Sequence, residues 1–174
     1  MLNSISDWLV GASCLGRARY RFVCASNGLT AREERAWTGL LRAHAALVRD
    51  VDNELRAAHG IPLSWYRALA EVADAPGERL RMGELAGRVM LTRAGLSGLV
   101  DRLERARLIE RQSCDGDARG SYAVLTPEGS RLLERAGQTH REAIRRRYTS
   151  RLDERELGLL GGLGDRLGVG RLSS

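Results

Sequence analysis

The chain has 174 residues, with 28 basic and 22 acidic side chains and a formal net charge of +6. That length suits one domain or two small ones with a real core, and a calculated pI near 10.0 suits an anionic partner such as nucleic acid. No apolar run approaches the roughly 20 residues needed to span a bilayer, which excludes a membrane-spanning helix. Cys14, Cys24 and Cys114 are odd in number, contain no CxxC, and share no metal-ligand spacing with His44, His59 and His140. A reducing cytoplasm and no metal or cofactor are therefore expected.

Residues 1–28 differ from the rest. Leu2, Ile5, Leu9 and Ala12 recur at helical spacing beside Trp8, and Arg17, Arg19 and Arg21 follow. Asp7 and the lack of an early positive charge speak against a signal peptide. This stretch reads as an extension, partly disordered or forming one extra helix. Thr30 then starts a helix, with Glu33 completing a capping box. Trp37, Leu40, Leu41, His44, Leu47, Val48, Val51 and Leu55 continue it at helical spacing to about Ala58. His59-Gly60 ends it. Pro62 opens a second helix through Trp65, Tyr66, Leu69 and Val72, and Ala75-Pro76-Gly77 breaks that one. Leu80-Arg81-Met82 is a short strand candidate.

Residues 81–108 read as helix, tight turn, helix. Met82, Leu85, Ala86 and Val89 share one face, and the chain turns through Met90-Leu91. Thr92 caps the second helix. Leu96, Leu99, Val100 and Leu103 form its buried stripe, leaving Arg93, Ala94, Ser97, Gly98, Asp101 and Arg102 on the open face. Small residues let a helix backbone approach a major groove, and arginine or serine can meet base edges and phosphates. An ordinary helical hairpin with a solvated face is the competing reading.

After Leu108 the period becomes strand-like. Residues 109–114 and 121–126 are strand candidates around the loop 115–120, with Arg119 at its tip. A hairpin directly after a helix-turn-helix is a wing, and Arg119 sits where a wing arginine reaches a phosphate or the minor groove. The alternative is a surface hairpin with Arg119 solvated or paired to Asp115 or Asp117. Thr126-Pro127-Glu128-Gly129 starts a long helix, whose apolar face is Leu132, Leu133, Ala136, His140, Ala143, Ile144 and Tyr148. Leu152 to Glu156 opens a last helix, apolar at Leu157, Leu159, Leu160, Leu163 and Leu167. Its four glycines make it weak alone.

The run from Glu84 to Gly129 resembles the MarR family of winged helix-turn-helix transcriptional regulators. The matching pieces are LTRAGLSGLVDRLERARLIER, the wing's Asp117-Ala118-Arg119, and LTPEG at Leu125 to Gly129. The family often has Asp-Arg-Arg in the wing, so one DNA-contacting charge is absent here. The resemblance implies a mainly α fold with a small β-hairpin wing, a reading head joined to a helical dimerisation domain. The expected division is an extension over 1–28, a dimerisation region over 29–58 and 127–174, and a DNA-binding domain over 59–126. The expected DNA contacts are Thr92, Arg93, Ala94, Ser97, Gly98, Arg102 and Arg119. The expected partners are double-stranded DNA and a second copy of the chain, with repression of a near-palindromic operator as the usual output.

Regulators of this family commonly bind a small aromatic or anionic effector between the dimer helices and the reading head. The candidate lining is Trp37, His44, Trp65, Tyr66 and Tyr122, each of which also reads as packed core. Other members sense oxidants through a cysteine on the first dimer helix. None lies between Leu29 and His59 here, and Cys114 at the wing base is the alternative thiol. A helical interaction module that binds no DNA is a further alternative, and it leaves the wing unexplained. No nucleophile elbow, phosphate loop or paired carboxylates suggest an enzyme.

Overall fold

The computed structural model describes residues 28–89, 91–114 and 117–167. The proposed extension over 1–28, Gly28 apart, lies outside the described residues, as do Met90 of the turn and residues 115–116 of the wing. The chain divides into two compact units, residues 1–48 and 49–174.

Helix α1 (Ala31–His59) supplies the described part of the first unit. Its start is the expected capping box: the Thr30 N–H donates to Glu33 Oε2 at 2.6 Å and the Glu33 N–H to Thr30 Oγ1 at 3.3 Å. The Thr30 N–H, and the Thr30 hydroxyl donating to the same oxygen at 2.8 Å, hold the Glu33 carboxyl below its usual value. Trp37, Leu40, Leu41 and Val48 along this part of the helix are exposed.

The second unit holds the core. Val51 and Leu55, on the last turns of α1, are buried there with Ile61, Leu69 and Val72. The dimerisation region expected over 29–58 includes those two residues. Their own unit covers them instead. Asp52 organises the corner that follows: its Oδ1 accepts the Leu63 N–H at 2.7 Å, while Oδ2 accepts from Arg56 at 2.6 Å. Helix α2 (Leu63–Ala73) begins at that bond. A 3-10 turn (Pro76–Glu78) leads into β1 (Arg79–Arg81), the short strand the sequence places one residue later.

The head continues with α3 (Met82–Arg88), α4 (Arg93–Arg105), β2 (Ile109–Cys114) and β3 (Asp117–Leu125). The sheet order is β1-β3-β2, antiparallel throughout. Leu85, Leu96, Leu99, Val100 and Leu103 are all buried, as the helical periods require. Helix α5 (Pro127–Arg147) returns across the unit, burying Leu132, Ala136 and Ala143. At its far end Arg146 and Arg147, two of the three consecutive arginines of its last turn, bond Glu54 of α1. A 3-10 turn (Thr149–Arg151) precedes α6 (Glu154–Arg166), which opens with an Asp153–Glu156 capping box and has no buried residue.

The second wing strand starts four residues earlier than the period-two pattern suggests. Gly and Asp within 115–120 read as loop residues, yet strand pairing resumes at Cys114↔Asp117. Between Ser113↔Ser121 and that pair the register shifts, so residues 118–120 fall in an irregular stretch. Arg119 therefore lies within a strand and not at a loop tip.

Candidate nucleic-acid interface

The candidate reading helix is α4. Its start is fixed by Thr92, whose Oγ1 accepts the Gly95 N–H at 3.1 Å. Its end is fixed by a left-handed residue, Arg107 (φ 58). The Arg107 N–H donates to Glu104 O at 2.8 Å and the Leu108 N–H to Leu103 O at 2.9 Å, which together are a Schellman closure. Thr126 then ties the closure to α5. Its hydroxyl donates to Arg107 O at 2.7 Å and accepts the Gly129 N–H at 3.0 Å. Gly129 is required at this junction, since a Cβ there would lie 2.1 Å from Leu108 O. The LTPEG run is thus a splice joining α5 to the end of α4 and to the last strand of the wing.

Thr92, Ala94, Ser97 and Arg102 are exposed on α4, with Gly98 half-buried between them. A Cβ on Gly98 would meet the Arg102 guanidinium at 3.7 Å, so the arginine lies across the glycine. Among the described residues Arg102 has no carboxylate partner. Arg93 opens the helix. Arg93 and Arg119 are placed by their backbones alone. Asp101, on the same predicted open face, is turned away to Arg111 of β2 at 2.6 Å.

Two further arginines escape the sequence reading. Arg79 and Arg81 flank buried Leu80 on β1 and share one face of the strand. Their guanidinium carbons lie 5.2 and 5.6 Å from the Tyr122 ring centroid. The strand candidate Leu80-Arg81-Met82 contains only Arg81, and Tyr122 is 41 residues away from it in sequence.

The five effector candidates occupy several settings. Trp37 and His44 are exposed on α1. Trp65 packs against the core. Tyr66 stacks on His140 of α5, with centroids 4.4 Å apart, and Tyr122 lies under the β1 arginines. Burial raises the Tyr66 hydroxyl above its usual pKa, and burial followed by Arg141 and Arg67 lowers the His140 imidazole. A recess of about 550 Å³ opens in the head, lined by Arg81, Met82, Glu84, Leu96 and Ser121 among others. None of the five candidates lines it. Cys114 closes β2. Among the described residues no cluster of His, Cys, Asp and Glu could hold a metal ion, and no helix is long and apolar enough to cross a membrane.

A helix-turn-helix framed by a short strand before it and a two-stranded hairpin after it, the three strands forming one antiparallel sheet, defines a winged helix-turn-helix protein. Residues 59–120 match the MarR family model. The chain is 34% identical to Sco3205, a MarR family transcriptional regulator from Streptomyces coelicolor solved in complex with DNA, with a TM-score of 0.78 over 83% of this chain and 91% of that one. NadR in complex with 4-hydroxyphenylacetate is 27% identical, with a TM-score of 0.62 over 82% of this chain and 94% of the other. The HTH-type transcriptional regulator FarR of Neisseria gonorrhoeae is 33% identical over 102 residues, 58% of this chain and 66% of FarR. The chain belongs to the MarR family of transcriptional regulators.

Proposed function

We propose that this regulator is a ligand-responsive repressor that binds a near-palindromic operator as a homodimer. The observation that carries the reading is the open face of α4. Small exposed residues stand there with Arg102, which has no carboxylate partner among the described residues, and a wing sheet in the same unit carries Arg79, Arg81 and Arg119. Thr92, Arg93, Ala94, Ser97, Gly98 and Arg102 meet the major groove, and Arg119 meets the backbone or the minor groove. The similarity to a relative solved on DNA supports this.

Dimer formation is supported by large apolar side chains that stand exposed among the described residues. Trp37 and Leu40 on α1 are 58% and 50% exposed, and Leu159 and Leu167 at the end of the chain are 58% and 68% exposed. Apolar surface of this kind on two separate helices suits association with a second copy. Residues 29–58 and 127–174 are accordingly the dimerisation region, and 59–126 the reading head. A dimer sitting on an operator excludes other proteins from that DNA, so repression is the simplest output.

The effector reading rests on the similarity to NadR with 4-hydroxyphenylacetate, a small aromatic anion. Trp37, His44, Trp65, Tyr66 and Tyr122 remain its proposed contacts. The direct test is a gel shift with DNA flanking the protein's own gene, repeated with small aromatic carboxylates. Retarded DNA that one of these acids releases is the expected result. Failure to retard any fragment, at low salt, would contradict the reading.

A further inference from the structure

We infer that Glu54 is a positioning residue for pairing with the second copy: by holding Arg146 and Arg147 at the end of α5, it fixes the corner from which α6 leaves. The inference rests on the homodimer reading above.

The grip is one carboxylate shared by two successive arginines. Arg146 Nη2 donates to Glu54 Oε2, and Arg147 Nε donates to Glu54 Oε1 at 3.1 Å. Neighbouring residues on a helix point about 100° apart, so the two side chains meet Glu54 from different directions. Arg147 Nη1 also lies 3.9 Å from Asp50 Oδ2, one turn earlier on α1. Glu54 is the covered member of the group, 18% exposed, against 59% and 41% for Arg146 and Arg147. The arginines stand in the last turn of α5, where cations offset the partial negative charge of the free carbonyls.

The helix ends directly beyond this grip. Tyr148 leaves the helical region, with φ −125 and ψ −72. Short-range bonds close the turn that follows. Ser150 Oγ donates to Arg146 O at 3.2 Å, the Arg151 N–H to Tyr148 O at 3.1 Å, and the Leu152 N–H to Thr149 O at 3.3 Å. Leu152 and Asp153 alone then separate the 3-10 turn from α6. Such a corner has little slack, so the direction in which α6 leaves follows the place where Arg146 and Arg147 are held. Burial within the chain does little to set that direction, since no residue of α6 is fully buried and Leu159, Leu160 and Leu163 stand exposed. Pairs with arginines this exposed add little to global stability. The contact therefore matters for geometry more than for folding.

The test measures the dimer Kd by sedimentation for the wild-type chain, for Glu54→Gln, and for a charge-reversed chain carrying Glu54→Arg, Arg146→Glu and Arg147→Glu. Each is also titrated with a duplex selected by the wild-type chain, and with the same duplex after one half-site is scrambled. Glu54→Gln should weaken dimerisation roughly 10-fold and leave affinity for the single half-site within about 2-fold, as expected when a coupled contact is lost away from the head. Binding to the full duplex falls with dimerisation. The charge-reversed chain should recover to within about 3-fold of wild type, because the pairs re-form with opposite sign. An unmoved Kd, or a reversed chain no better than Glu54→Gln, would overturn the clamp. Equal losses on the single half-site and the full duplex would overturn it too, as would a Glu54→Gln chain that no longer melts cooperatively, because Glu54 would then support the fold at large. A wild-type chain that stays monomeric at every concentration would overturn the homodimer reading, and this inference with it. A dimeric wild type whose Kd Glu54→Gln leaves unmoved would overturn the clamp alone.

Discussion

Single residues carry more of this head than their chemistry suggests. Gly129 is the plainest case. Its Cβ position falls 2.1 Å from the backbone carbonyl of Leu108, which also accepts the Thr126 N–H at 3.2 Å. Gly129→Ala should destabilise by about 1–3 kcal/mol, toward the upper end for overpacking against backbone. Gly137 on α5 is the control. A Cβ there meets the tip of Arg141 at 3.2 Å, and that side chain can swing aside. Gly137→Ala should be near neutral, or gain up to ~1 kcal/mol from helix propensity. Thermal melts of the two variants check the contrast, and equal shifts would contradict it. His140 provides a pH signature. Its half-buried ring stacks on Tyr66, and burial, Arg141 and Arg67 favour the neutral form. The folded pKa is lowered, so the unfolded chain binds the proton more readily. The stability tied to neutral His140 is complete above the unfolded value of about 6.5 and is lost as pH falls through the lowered folded value. Between pH 7.5 and 5.5 the wild-type melting temperature should fall more than that of His140→Gln. Identical falls would remove His140 from the account of acid sensitivity.

At the scale of elements, most of the fold was legible because its signals are local. Thr30, Thr92 and Thr126 each cap the helix they precede, and the buried faces of α3 and α4 follow their apolar spacing. Long-range features were not legible. Arg111 finds carboxylates seven and ten residues back on a different element, and no spacing rule announces that. The wing loop was drawn too long because Asp and Gly near a turn look alike whether they lie in a loop or in an irregular strand. The candidate DNA contacts could be placed on an open face, while the effector aromatics could not be gathered from sequence, since periodicity does not say which elements cross. Arg119 tests the wing directly. Arg119→Ala should weaken binding to many sequences alike and lower the salt slope by about one unit, as expected when one phosphate contact is lost. An unchanged salt slope would show that the wing arginine does not meet the backbone.

For the whole molecule, the question is what covers the bare apolar residues. Periodicity marked Leu40, Leu47, Val51 and Leu55 together, but Val51 and Leu55 belong to the core of their own unit. That leaves Trp37, Leu40, Leu41 and Val48 on α1, and Leu159, Leu160, Leu163 and Leu167 toward the other end of the chain, exposed and available to the proposed second copy. No residue of helix α6 is fully buried despite its capping box, and the proposed second copy would supply the cover that holds it. Ending the chain after Ser150 should give monomers by sedimentation and abolish tight operator binding. The helix-turn-helix and wing would remain, yet two half-sites are held tightly only when one body presents both heads. A truncated chain that stays dimeric and binds normally would show α6 to be dispensable.

The most direct measurement is selection from a random pool of duplexes, with the stoichiometry of the selected complex determined by sedimentation. A winged-helix dimer should enrich a near-palindrome whose half-sites lie about one helical turn apart, ~10 bp, bound by two chains. Repeating the selection with Arg93→Ala and Ser97→Ala should relax the preference at one position in each half-site, at ~1–3 kcal/mol per lost base contact. No enriched sequence, one chain per duplex, or an unaltered preferred site in both variants would contradict a dimer that reads DNA through the open face of α4.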